Sequence, residues 1–129
     1  MRKKSTAVYL IHECDEWATP LSKSLNKLTV PNYSWHMAER VIDLSVIPDD
    51  GIFYNRMSAS AHTRGHRFAP ELTAGLLSWL EANNCLVING SNAIRLELSK
   101  INQYSAMKIV GIPVPKTIAA TTLSRIFEA

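Results

Sequence analysis

The chain has 129 residues, 47% of them apolar and 19% charged, with a net charge of +3. That is one ordinary domain with enough core to fold, and the apolar fraction excludes intrinsic disorder. No apolar run approaches the roughly 18 residues of a membrane span, and mild basicity alone points only weakly to nucleic acid.

The N-terminal residues Met1-Arg2-Lys3-Lys4 are basic, but the apolar stretch at 7–11 is too short for a signal peptide, so the cytoplasm is the expected compartment. Residues 6–12 form a near-continuous apolar run without alternation, the pattern of a parallel strand covered on both faces. Residues 22–28 suit a short helix, 33–37 and 41–44 strand pieces, and Pro48-Asp49-Asp50-Gly51 a turn. Residues 51–55 and 85–90 read as two further buried strands, each turning polar at its C-terminal end.

A helix fits between those two strands. Pro70 suits its first position and Glu71 the positive end of its dipole. Leu72, Leu76, Trp79 and Leu80 form one apolar stripe, and Asn83-Asn84 is a plausible stop. A second helical stretch opens after Ser91, with Ile94, Leu98, Ile101 and Tyr104 in register, and closes at Gly111 before Pro113. Residues 112–115 must be extended, because each proline pushes its predecessor out of the α region. The expected fold is α/β: a Rossmann-like, three-layer open sheet of about four mostly parallel strands with helices on both faces.

Ligands in such sheets bind beyond the carboxyl ends of the strands. Those ends supply His12 and Glu13, then Asn55 and Arg56, then Asn89, Gly90 and Ser91. The loop 55–67 holds three arginines, two histidines and three hydroxyls, and no carboxylate occurs between Gly51 and Pro70. Arginine offers a planar fork matched to carboxylate or phosphate, so Asn55, Arg56, Ser58, His62, Arg64 and His66 are candidate anion-binding residues, joined by Asn89 and Ser91. The competing expectation is a solvated loop whose arginines pair with Asp43, Asp49 or Asp50.

His62 and His66 are four residues apart, but no third metal ligand lies at suitable spacing, so no metal is expected there. Cys14 and Cys85 fall at opposite ends of a parallel sheet, which disfavours a disulfide. Neither GxGxxG nor GxxxxGK[ST] occurs. Gly90-Ser91 before a helix suits an anion cradle or, more simply, a helix cap. Lys100, within the last helical stretch, reads by itself as a solvated lysine.

Three segments in order give residues 51–117, about half the chain, a family likeness. They are Phe53-Tyr54-Asn55-Arg56-Met57-Ser58 running into His62-Thr63-Arg64-Gly65-His66, then Val87-Ile88-Asn89-Gly90-Ser91 with Ala93, then Ser99-Lys100 through Gly111-Ile112-Pro113-Val114-Pro115-Lys116-Thr117. Together they resemble the N-terminal, pre-ATP-grasp domain of the ATP-grasp carboxylate–amine ligases, in the branch of glutathione synthetase and the glutamate ligases of ribosomal protein.

The resemblance implies a domain at 1–115 and, at 116–129, a linker or the start of an ATP-grasp domain, with a short strand at 118–120 and a helix opening at 121. It implies ATP and Mg2+ as cofactors of a longer parent protein, Lys100 as an ATP phosphate contact, and a small carboxylate or amino-acid substrate near loop 55–67. The second phosphate lysine, the adenine-binding strand and the magnesium ligands of the family are absent, so the chain is expected to be a domain of a longer ligase, inactive alone. Its partner would be the ATP-grasp domain. An excised domain exposes apolar surface through which it can homodimerise. The alternative is a free-standing α/β module that binds a phosphate ester or nucleic acid through loop 55–67. Nucleic acid is disfavoured because the loop lacks interleaved aromatics.

Overall fold

Both faces of the first strand are covered. In β1 (Val8–His12), Tyr9, Leu10, Ile11 and His12 are all buried. Successive strand side chains point to opposite faces, so β1 must be packed from above and below. A computed structural model describes residues 6–46 and 48–126. Its further strands are β2 (Asn32–His36), β3 (Ile52–Asn55) and β4 (Leu86–Ile88). All pairings are parallel, in the order β2-β1-β3-β4, with His12 opposite His36 and Ile11 opposite Asn55. The fold is therefore a four-stranded, all-parallel α/β sheet, as the apolar runs predict.

The odd residues of β1 join the main core. Tyr9 stacks on Phe53 with ring centroids 4.8 Å apart, and Trp35 meets Phe53 edge-on at 5.3 Å. Leu76, Leu77 and Leu80 of α2 (Ala69–Ala82) and Ile94 of α3 (Ser91–Leu98) close over these rings. Leu10 points the other way, to the face of α1 (Asp15–Lys27), which contacts β1 and β2. Gly51 enters β3 where a Cβ would lie 2.8 Å from the Ala7 carbonyl oxygen, so the close approach to β1 requires glycine.

Several expectations need correction. The helix expected at 22–28 starts at Asp15 and contains Pro20. Asp15 and Glu16 in its first turn complement the helix dipole and help it form despite the proline. Residues 41–44 form no strand. The buried face of α2 is Thr73, Leu76, Leu77 and Leu80, whereas Leu72 is 43% exposed. The single helix expected after Ser91 is two, α3 and α4 (Lys100–Ile109), broken at Ser99. Ser99 is extended, and its side chain accepts a hydrogen bond from Asn102 N at 3.2 Å, an N-cap that starts a new helix. Residues 118–120 form no strand. The helix expected from 121 is present as α5 (Leu123–Ile126), and residues 127–129 lie outside the described residues. The stop at Asn83-Asn84 is observed, with Asn84 in the left-handed region.

The chain divides into two compact units, Met1–Leu98 and Ser99–Ala129. The first holds the sheet with α1, α2 and α3. The second comprises α4, a segment without regular secondary structure at 112–120 and α5. Among the described residues, no helix is long and apolar enough to cross a membrane.

Candidate functional site

The strand order creates the site. Connections leave β1 toward β2 on one side and reach β3 on the other, so the carboxyl ends of β1 and β3 flank a topological switch point, where open α/β sheets bind ligands. A cleft of about 450 Å³ opens beside it, at the carboxyl ends of β3 and β4, lined by Trp17, Tyr54, Asn55, Arg56, Met57, Ser58, Asn89, Ile94 and Glu97.

Two asparagines build its floor. Asn55 Nδ2 donates to the Asn89 carbonyl at 3.0 Å, and Asn89 Nδ2 donates back to the Asn55 carbonyl at 3.2 Å. Asn55 Oδ1 also accepts from Met57 N at 2.9 Å. This reciprocal pair locks the ends of β3 and β4 together and turns the chain after each. Asn89 is left-handed, a conformation asparagine tolerates. Arg56 N donates to the Ile11 carbonyl at 2.8 Å, extending the β1–β3 ladder and fixing where its side chain leaves the backbone. Among the described residues, the Arg56 guanidinium forms no salt bridge. Ser58 Oγ lies 2.8 Å from Ser60 Oγ.

Arg64 and His66 of the basic loop are spent internally. Arg64 Nε donates to Glu13 Oε1 and Oε2 at 3.1 and 3.2 Å, Nη2 also reaches Oε1, and Nη1 donates to Ser60 Oγ at 3.3 Å. His66 Nδ1 donates to Glu13 Oε2 at 2.8 Å. The Arg64 guanidinium lies 4.7 Å from the Trp17 ring centroid. The Glu13 side chain is 1% exposed. Burial pushes its carboxyl up, but the hydrogen bonds and charges of Arg64 and His66 outweigh burial and hold it below the ordinary carboxylate range. Among the described residues, none of the loop's arginines forms an ion pair with Asp43, Asp49 or Asp50. Asp43 instead accepts from Ser45 N and Oγ at 2.9 and 2.6 Å.

Of the candidate site residues, Asn55, Arg56, Ser58 and Asn89 converge on the cleft. His62 is exposed, and its Nδ1 donates to the Ala59 carbonyl at 3.2 Å. Ser91 has a partner within the chain. Its N and Oγ donate to the two oxygens of Glu81 at 2.8 and 2.6 Å, so a carboxylate from α2 already fills the N-terminus of α3. A Cβ on Gly90 would collide with Glu81 Oε1, which is why glycine precedes this cap. Lys100 begins α4 in the second unit, exposed, and donates to Gln103 Oε1 at 3.1 Å.

Sequence reasoning named Glu13 as a strand-end residue but did not recognise its role, and it missed the cleft residues Trp17 and Glu97. It also did not bring together His12, Asp15 and His36, whose potential ligand atoms lie within 4.8 Å of one another. His12 Nε2 is 2.6 Å from Ser34 Oγ. Burial, aided by the neighbouring His36, holds the His12 imidazole below its ordinary value, although Asp15 and the Cys14 backbone oppose this in part. Cys14 and Cys85 are both free thiols. No protein-family model and no curated protein matches this chain.

Proposed function

We propose that this chain is the substrate-side domain of an ATP-dependent carboxylate–amine ligase, and that its cleft holds a small amino acid. The observation that carries the reading is Arg56. It lines the cleft without a carboxylate partner among the described residues, while Arg64 and His66 are committed to Glu13. A guanidinium in a polar cleft meets a carboxylate as a two-pronged donor. Glu97 lines the same cleft and supplies the opposite charge, suited to the ammonium group of the ligand. The polar floor of Asn55, Ser58 and Asn89 fits a compact zwitterion better than an apolar ligand.

In this reading ATP and Mg2+ belong to a partner ATP-grasp domain. The N-terminus of α3, the natural place for phosphate in the first unit, already holds the Glu81 carboxylate. Lys100 remains the proposed phosphate contact; its bonded partner, Gln103, is uncharged. The chain's own contribution is to bind and orient the amino acid, with Trp17 and Ile94 at the cleft wall.

Calorimetric titration tests this with L-glutamate, glycine, N-acetyl-L-glutamate and inorganic phosphate. The free amino acid should bind more tightly than its N-acetyl derivative, which lacks the ammonium group. Arg56→Ala should weaken binding roughly tenfold or more, the worth of a charge-assisted hydrogen bond. Phosphate binding tighter than any amino acid, and unchanged by Glu97→Gln, would instead favour a free-standing anion-binding module.

A further inference from the structure

Outside the cleft, a second cluster lies at the carboxyl ends of β1 and β2. His12 and His36 are register partners on these adjacent strands, and their rings meet edge to face with centroids 5.3 Å apart. Asp15, in the first turn of α1, brings an exposed carboxylate to the same place. One potential ligand atom from each residue lies within 4.8 Å of the others. Donors around an ion bound tetrahedrally at about 2.0–2.1 Å lie about 3.4 Å apart, so the three side chains, already within 4.8 Å of one another, must draw together to close on one ion.

A second observation is independent of that spacing. Among the described residues, three buried side-chain polar atoms have no hydrogen-bond partner, and two of them are Nδ1 of His12 and Nδ1 of His36. Buried polar atoms are normally satisfied, so two orphaned imidazole nitrogens in one cluster call for a partner. His12 is only 2% exposed, so bulk water does not supply one. Ser34 Oγ occupies the other nitrogen of His12. When Nε2–H donates to that hydroxyl, Nδ1 carries the lone pair, the outer-shell arrangement that orients a metal-binding histidine.

We propose that His12, His36 and Asp15 bind a divalent transition-metal ion of the Zn2+ type. Two imidazoles and one carboxylate are a borderline donor set that suits Zn2+ and its first-row neighbours rather than Mg2+ or Ca2+. Three protein ligands leave one position open for water. The site shares no residue with the amino-acid cleft and does not depend on that reading.

Zn2+ titrated calorimetrically into the chelator-stripped full chain tests the proposal. One equivalent should bind saturably. Asp15→Asn should weaken binding on the order of tenfold or more, and His36→Ala should abolish it, whereas His62→Ala should leave it unchanged. Asp15 is exposed, so Asp15→Asn reports on the site even where His36→Ala fails to fold. Co2+ bound to the unaltered chain should show a visible ligand-field band that Asp15→Asn shifts or removes. Absence of saturable binding, or parental affinity in Asp15→Asn and His36→Ala, would overturn the proposal.

Discussion

Arg64, in the loop after β3, and Glu13, at the end of β1, form a two-pronged ion pair on a carboxylate that is almost fully buried. His66 completes the set on the second oxygen. The arrangement ties loop 56–67 to the carboxyl end of the interior strand β1 and leaves Arg56 as the loop's cation in the cleft. Arg64 is thus committed to holding the fold, while Arg56 is the arginine available for the proposed binding.

The first prediction concerns that division. Glu13→Gln should lower stability by on the order of 2 kcal/mol, because it weakens hydrogen bonds to a buried charge. Arg64→Ala should also destabilise, since it leaves Glu13 to His66 alone. The double variant should lose less than the sum, because both changes remove one interaction. Urea unfolding of the three variants measures this, and strict additivity would contradict it.

The second prediction is acid sensitivity, measured with a chelator present. The folded-state value of Glu13 lies below its unfolded value, so its contribution is full above the unfolded carboxylate range, about 4.3, and is lost as pH falls through the folded value. His12 is also held low, so the unfolded chain takes up its proton first as pH drops below about 6.5, and stability declines from there. The thermal midpoint should therefore fall in two stages between pH 7 and pH 3. Glu13→Gln should flatten the lower stage and leave the upper one.

The third prediction concerns the cap of α3. Gly90→Ala should displace the Glu81 carboxylate from Ser91 and cost about 1 kcal/mol, the usual worth of a helix cap. Glu81→Ala should cost a similar amount, and the double variant no more than either alone. Thermal unfolding would contradict this if the two losses added.

The sheet was legible because buried parallel strands are continuous apolar runs, and three of the four strands were read on that basis. The fourth, β2, is legible only as a fragment, since Tyr33 and Ser34 are exposed while Trp35 is buried. α1 was obscured by Pro20, which reads as a breaker, and the α3–α4 break by Ser99, a small polar residue inside an unbroken apolar stripe. In the cleft, Asn55, Arg56, Ser58 and Asn89 were legible because they follow strand ends. The Glu13–Arg64–His66 set was not, because Glu13 lies more than fifty residues from Arg64 and His66 and meets them only once β1 is placed beside β3. The same holds for His12 and His36, which become neighbours through the β1–β2 register.

The central claim is that the cleft at the ends of β3 and β4 binds a small amino acid through Arg56. Two-dimensional NMR of the isotope-labelled chain during addition of L-glutamate tests it most directly. The account predicts saturable shifts confined to the amides of Asn55, Arg56, Met57, Ser58, Asn89 and their neighbours, lost in Arg56→Ala with the rest of the spectrum intact. Shifts centred on residues 61–67, or a response that survives Arg56→Ala, would contradict it.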